Sequence, residues 1–418
     1  MDKIYTNPLG VTSQFYFCGV PFRLDSYQGC SHRCHYCFAN KAFGGIRSSG
    51  IADREAEILP ADVESIRQDF EKAFSGDIGI DLRRQFLQRR IPIHWGGMSE
   101  PFQPIELKHK VSLKLLDLFT KYQYPVVCST KGVLLARPEY LCRAIDANLA
   151  VQVTLLTLDD RIRQGLEPYA STVEERLALI ETLSNAGLWV AVRLQPLIVD
   201  TAIERDANKL IDEVANRGAK HLIVEAYKPP LDNKGGIRAT GDAFGISILH
   251  LYQRYCGTSY RREIELPTWR KYQYLVPLRE KCHQVGMTYG AADNQLHEEG
   301  DTICCCGIDN LQGFENFWRY QSVQAASIAK KKGVVAMSDL QKEWCPTGRF
   351  GANENWWRDH GDDHSLKGYF GWKWREGGPD SPEDLAHLER SWENNEVVYR
   401  WVENPSILHG GIVQSTMF

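Results

Sequence analysis

The sequence of 418 residues predicts an α/β fold: a partial (β/α)6 TIM-like barrel followed by a Cys- and Trp-rich C-terminal extension. Two observations carry this. Six short runs rich in Val, Ile and Leu alternate with amphipathic segments from residue 21 to about residue 230. The runs are nearly continuous in apolar residues, as strands buried on both faces are. Strand–helix repetition implies parallel strands joined by right-handed crossovers. Beyond residue 300 the composition changes, and eight of the eleven tryptophans lie after residue 310. Three parts are expected: residues 1–20 as an N-terminal extension, 21–235 as the barrel, and 236–418 as a region that shapes the substrate site.

The expected strands are FRLDSYQ (22–28), RIPIHWGG (90–97), YPVVCST (124–130), LAVQVTLLT (149–157), LWVAVRLQPLI (188–198) and KHLIVEAY (220–227). Helices lie between them. PADVESIRQDFEKAF begins with Pro60 in a permitted first-turn position. STVEERLALIETLSNAG pairs Thr172 with Glu175 as a capping box, stops at Gly187, and carries Leu177, Leu179, Ile180 and Leu183 as an apolar stripe. ERDANKLIDEVANRGA repeats the pattern and stops at Gly218. DNKGGIRATGDAFG reads as a loop, and a helical pattern returns from Leu266 to about Val285.

The formal net charge is -4. A protein that holds duplex DNA mainly through phosphates is usually more basic. No run of eighteen apolar residues is present, so no membrane span is expected, and MDKIYTNPLG has no apolar core of a secretory signal. A reducing cytoplasm is the expected compartment. There, twelve cysteines point to metal or redox chemistry rather than to disulfides.

Three of those cysteines form GCSHRCHYCFAN: Cys30, Cys34 and Cys37, spaced C-x3-C-x2-C. Three thiols are one short of a closed structural zinc site, for which His32 or His35 is the alternative fourth ligand. A cubane cluster instead takes three thiolates and keeps its fourth iron open. The loop after the first strand lies at the C-terminal face, where such barrels keep their chemistry.

C-x3-C-x-aromatic-C after a first strand, with Tyr36 as the aromatic and βα units following, resembles the radical S-adenosylmethionine (SAM) superfamily over roughly residues 20–230. The resemblance implies a 4Fe-4S cluster on Cys30, Cys34 and Cys37. It further implies SAM on the open iron, reductive cleavage to a 5′-deoxyadenosyl radical, and a reductant such as flavodoxin or ferredoxin. HWGGMSEP then offers Gly96, Gly97 and Met98 as backbone contacts and Glu100 as a carboxylate for the SAM amino group, although Met98 and Ser99 intervene. Thr130, Lys131, Thr154 and Thr157 lie at or near the barrel mouth. Glu167 is a candidate for the SAM ribose or amino group, and Arg193 with Gln195 for its carboxylate.

LDSYQGCSHRCHYC, HWGGMSEPFQPIE and LEPYASTVEERL together resemble the spore photoproduct lyase-like, or DNA repair photolyase-like, branch. That branch implies repair or modification of a nucleic-acid base that is single-stranded or flipped out. Modification of a peptide or small molecule is the alternative. A metal-binding nucleic-acid module without catalysis is the alternative from a different class. The lyase returns a hydrogen from a cysteine soon after its cluster motif, but no cysteine occurs between Cys37 and Cys128. Cys128 and Cys305 are therefore the candidate hydrogen donors. Trp, Tyr and Phe interleave with Arg and Lys near the C-terminus and suit stacking on bases, with an aromatic core or a protein interface as the alternative. Residues 311–418 nevertheless hold 12 Lys and Arg against 15 Asp and Glu. Cys304, Cys305 and Cys306 are consecutive. Two of them, with Cys282 and Cys345, form a candidate second site for an auxiliary iron–sulfur cluster or a zinc, with packed free thiols as the alternative.

Overall fold

A computed structural model describes residues 3–41, 58–260, 263–350 and 364–409. Eight strands form one sheet: β1 (Leu9–Val11), β2 (Phe22–Leu24), β3 (Ile93–Trp95), β4 (Val126–Thr130), β5 (Ala150–Thr154), β6 (Val190–Leu197), β7 (His221–Ala226) and β8 (Thr288–Ala291). Their spatial order follows the chain. All neighbours from β2 to β8 are parallel, and β1 closes one edge antiparallel to β2. All six expected strands are present, and the fold is α/β. β1 and β8 extend the sheet beyond residues 21–235 on both sides. Neither shows in the sequence, because each is three or four residues long and lacks a continuous apolar run.

Helices α1 (Val63–Ser75), α2 (Leu82–Arg89), α3 (Val111–Tyr122), α4 (Pro138–Asp146), α5 (Asp160–Leu166), α6 (Val173–Asn185) and α7 (Ala207–Asn216) lie between the strands. The α6 capping box forms between Thr172 and Glu175, and its stripe of Leu177, Leu179, Ile180 and Leu183 is buried. The start of α1 is later than expected. Asp62 caps it by accepting from Ser65 N–H at 3.1 Å, while Pro60 pairs with Tyr27 in a short antiparallel ladder. The helical pattern at residues 266–285 is two helices, α8 (Thr268–Leu275) and α9 (Pro277–Gln284). Pro277 has no N–H to continue the first of them.

Register assigns the two faces of the sheet. Trp95, Cys128 and Val151 align on one face, and Trp95 packs there edge-on against Phe102 and Phe119. His94, Val127 and Ala150 align on the other. This second face is the barrel interior.

The C-terminal aromatics are mostly core, which corrects their reading as a stacking platform for bases. A sheet of β9 (Val334–Ala336), β10 (Leu388–Glu393) and β11 (Glu396–Trp401) packs with a helix at Leu366–Glu376. Trp318 stacks on Phe86 at 5.6 Å and donates to the Phe15 carbonyl at 2.8 Å. Trp374 donates to the Val397 carbonyl at 2.8 Å, and Tyr399 to the Trp374 carbonyl at 3.0 Å. Trp392 is exposed, and Trp356 and Trp357 lie outside the described residues. Burial wins because each indole removes a large apolar area from water once its N–H has a carbonyl.

Glu298 gives a pH prediction. Burial pushes its carboxyl up to about 8, against one bond from its own backbone. A carboxyl raised above its unfolded value contributes stability below that value and loses it as pH rises through the folded value. Urea stability of the wild type should therefore fall as pH rises from about 4.5 to about 8 and level off above that, and Glu298→Gln should flatten that fall.

Candidate active site

The cysteine loop is held from three sides. Gln103 accepts from Ser31 N–H at 2.9 Å and donates to the Gly29 carbonyl at 3.2 Å. His35 N–H reaches the Leu166 carbonyl at 2.9 Å. The Tyr36 hydroxyl donates to Glu167, which is paired with Arg176 at 2.6 Å. Both members of that pair are fully buried, with side-chain exposures of 1% and 0%. Burial opposes the Glu167 charge, but Arg176 and Lys131 and the Tyr36 bond hold its carboxyl below the usual range. Glu167 therefore anchors the loop through Tyr36, where the sequence suggested a direct contact to SAM.

Cys34 is buried and Cys30 and Cys37 are half-buried, with no disulfide among the three. Among the described residues no three His, Cys, Asp or Glu side chains converge on one ion position. A cubane is wider than an ion and asks for three soft thiolates around one rim, which this loop supplies. The Lys131 ammonium faces Cys34, Glu167 and Cys37, an electropositive setting for thiolates. His32 lies 3.7 Å from Glu100.

The turn after β3 is shaped for close backbone approach. Asp25 pairs with Arg23 at 3.0 Å and accepts from Met98 N–H at 2.9 Å and Ser99 N–H at 3.2 Å. Gly96 has φ +82, and a Cβ there would lie 2.6 Å from the Ser129 carbonyl oxygen. Gly96→Ala should therefore lower stability by about 1–3 kcal/mol or more, read by urea unfolding. Around Gly97 the nearest atoms would be 3.6 Å from a Cβ, so protein packing does not require the bare backbone there. That leaves room for a ligand against Gly97.

Glu100 and Thr130 are already engaged. Glu100 accepts from Phe102 N–H at 3.0 Å, Thr130 hydroxyl at 2.6 Å and Lys131 N–H at 2.7 Å, with His32 beside it. A carboxylate has about four lone-pair sites. Three of these are used, so Glu100 ties the β3 turn to the end of β4 and keeps acceptor capacity beside His32.

A row of polar side chains lines the barrel interior. Arg193 donates to Gln152 at 2.9 Å, Ser129 at 3.1 Å and Gln195, and its Nη1 lies 3.5 Å from His94 Nε2. Gln195 donates to Glu225, and Glu225 pairs with Lys228 at 3.1 Å. Thr154 aligns with Arg193 in register. Its carbonyl accepts from Arg176 at 2.9 Å. Burial and the Arg193 charge push His94 down to about 4, so its ring is neutral at pH 7. Burial disfavours the Lys228 charge, but Glu225, Asp293 and Glu265 outweigh it and hold the ammonium well above its ordinary value. The sequence reading found Arg193 and Gln195 but missed His94, Ser129, Gln152, Glu225 and Lys228. The signal was one polar residue at alternate positions in successive strands.

The second group of cysteines divides. Cys282 lies in α9 near Tyr289, and Cys345 near Tyr320. Cys304 and Cys306 instead pack with Val20, Val127 and Ala150, with Cys18 and Cys305 beside them. The structure places Cys282 and Cys345 in a different cluster from the triplet, so among the described residues the expected site of two triplet cysteines with these two is not assembled. Of the two expected hydrogen donors, Cys128 points to the helix-covered face with Trp95. Cys305 lies on the interior side, in the field of Arg193.

The Radical SAM superfamily model matches residues 24–214. Residues 24–214, a little under half of the chain, thus resemble a radical SAM domain, a family that uses a 4Fe-4S cluster and SAM. An uncharacterized protein of Mycobacterium bovis is 26% identical over 210 residues, spanning 49% of this chain and 58% of that protein. A radical SAM Nalpha-GlyT isomerase of Pseudomonas phage M6 is 22% identical over 202 residues, 47% of this chain and 37% of the relative. A spore photoproduct lyase mutant with bound AdoMet and dinucleoside spore photoproduct aligns with a TM-score of 0.47 and 16% identity, over 66% of this chain and 79% of that one. No helix among the described residues is long and apolar enough to cross a membrane.

Proposed function

We propose that the chain is a radical SAM enzyme acting on a nucleobase, with Cys30, Cys34 and Cys37 as cluster ligands and Gly96, Gly97 and Met98 as the backbone rest for SAM. The bound cluster and SAM supply reductive cleavage of the sulfonium to a 5′-deoxyadenosyl radical, with the electron from a flavodoxin- or ferredoxin-type donor. The chain's own residues orient and shield. Gln103, Tyr36 and Glu167 fix the loop, and Lys131 offsets its negative charge.

The observation that carries the substrate reading is the interior polar row. Gln152, Arg193, Gln195 and Glu225 place amide, guanidinium and carboxylate groups along one face. A flipped base is read through such hydrogen bonds to its edge. Arg193→Gln should lower kcat/KM about 10- to 100-fold, the loss of a charged hydrogen bond. The test is anaerobic reconstitution with reductant and SAM, reading 5′-deoxyadenosine with DNA, RNA and peptide pools. Stimulation by nucleic acid supports the proposal. Stimulation by peptides alone transfers the substrate assignment to a peptide.

A further inference from the structure

The segment after β8 ties the C-terminal sheet to the barrel mouth. β8 runs parallel to its neighbour, so the segment that follows it, Asn294–Glu299, emerges at the same end as the cysteine loop. Gln295 in that segment accepts from the Lys271 ammonium at 2.5 Å, and Lys271 also binds Asp293 at 2.8 Å and Glu265 at 3.1 Å. The Gln295 carbonyl accepts from Ala386 N–H at 3.0 Å. The next residue along, His387, is buried and leads into β10.

His387 joins the two parts through its ring. Nδ1 lies 2.7 Å from the Val402 carbonyl oxygen, just past β11, and Nε2 lies 2.9 Å from Glu299. The ring stacks on Trp401 at 4.6 Å with the planes 7° apart. A carbonyl and an ionised carboxylate only accept, so both ring nitrogens must donate. The imidazolium has two N–H groups and makes both bonds. The neutral ring has one, and sets a lone pair against the other acceptor. The indole face also favours the cation.

We propose that His387 is a proton-operated latch: as the imidazolium it docks the C-terminal sheet onto Asn294–Glu299 at the barrel mouth, and as the neutral ring it releases that edge. The charged and titratable groups around it come from four elements. Glu299 and Glu298 face it from the segment after β8, and both Glu298 carboxyl oxygens are shielded from water. Lys330, in the helix Ser322–Lys332, lies 5.2 Å from the Trp401 ring. Glu403 accepts from the Trp401 indole N–H at 2.7 Å. Tyr272 of α8 lies in the field of Glu299. Lys330 opposes the cation and Glu299 favours it. Burial also opposes the charge, but the bonds to Glu299 and Val402 outweigh it and hold the ring above its ordinary value. A histidine raised in this way contributes stability below its unfolded value and loses it as pH rises through the folded value. The latch is therefore closed below the ordinary histidine range and opens above it.

The test is hydrogen–deuterium exchange of the full-length reconstituted protein at about pH 6 and about pH 9, with labelling times scaled for the intrinsic exchange rate. Corrected exchange in β10 and β11 should rise about 10-fold or more between the two, the loss of a hydrogen bond to a charged group. Amides of β6 should keep their protection. Glu298→Gln removes the neighbouring titration and should leave the rise in place. His387→Gln cannot titrate and should exchange equally fast at both pH values. Equal protection of β10 and β11 at the two pH values in the wild type would overturn the proposal. So would an equal rise in β6, which reports global opening, or a rise that disappears in Glu298→Gln. If His387→Gln does not fold, the wild type and Glu298→Gln decide between them. The labelling needs neither SAM nor substrate, so it stands apart from the proposed nucleobase activity.

Discussion

Replacing Cys30, Cys34 and Cys37 together by Ala is expected to remove the loop's iron and to reduce 5′-deoxyadenosine formation to the level of a protein-free control. The three thiols sit on one loop that Gln103, Leu166 and Glu167 already hold in place. The scaffold therefore does not depend on the thiols for its shape, and circular dichroism and thermal unfolding of the apo-protein should change little. That separation gives the experiment its force. Iron content and 5′-deoxyadenosine should both vanish while the fold persists. Residual SAM cleavage at the wild-type rate would refute the assignment of these cysteines. Residual iron alone would place a second metal elsewhere in the chain.

Arg176→Met should lower stability by about 3–5 kcal/mol, the cost of stranding one partner of a buried ion pair. Glu167 would keep its charge with little beyond Lys131 and Tyr36 to compensate it. Because Tyr36 hangs from Glu167, the cysteine loop should loosen, and reconstituted iron per chain should fall with stability. Removing both charges in Glu167→Gln with Arg176→Met should be less harmful than the single change, since no uncompensated charge remains. Urea unfolding of the apo-protein and iron analysis after reconstitution measure the two effects. If the single variant is as stable and as iron-loaded as the wild type, the pair does not anchor the loop.

The strands were legible because buried parallel strands must be apolar on both faces, and no turn residue interrupts such runs as VVCST or AVQVT. The α6 capping box was legible because its two side chains lie three residues apart on the chain. The cysteine triad was legible for the same reason: its three thiols share one loop. Roles that depend on partners far along the chain were not. Glu167 was read as a ligand for SAM because its sequence neighbours do not include Tyr36 or Lys131, which lie well over thirty residues away in the chain but engage it in space. The ties of Glu100 to Thr130 and Lys131 were hidden in the same way, since both partners come from another strand.

The tryptophan-rich extension shows the same limit from the other direction. Aromatic and basic residues interleaved in sequence look alike whether they face a base or a core. What decides is whether each indole N–H finds a carbonyl, as Trp318 does at Phe15 and Trp374 at Val397.

By itself the sequence determined the α/β strand–helix repeat, the three-thiol loop after the first strand and the chemistry class they imply, because local spacing is enough to specify each. Only the tertiary structure decided which carboxylates are already spent on the protein, that His94, Gln152, Arg193 and Glu225 share one interior face, and that Cys304, Cys305 and Cys306 meet Cys18 rather than Cys282 and Cys345. Those outcomes depend on strand register and on contacts between segments up to about 290 residues apart, the separation of Cys18 from the triplet, which no local pattern encodes.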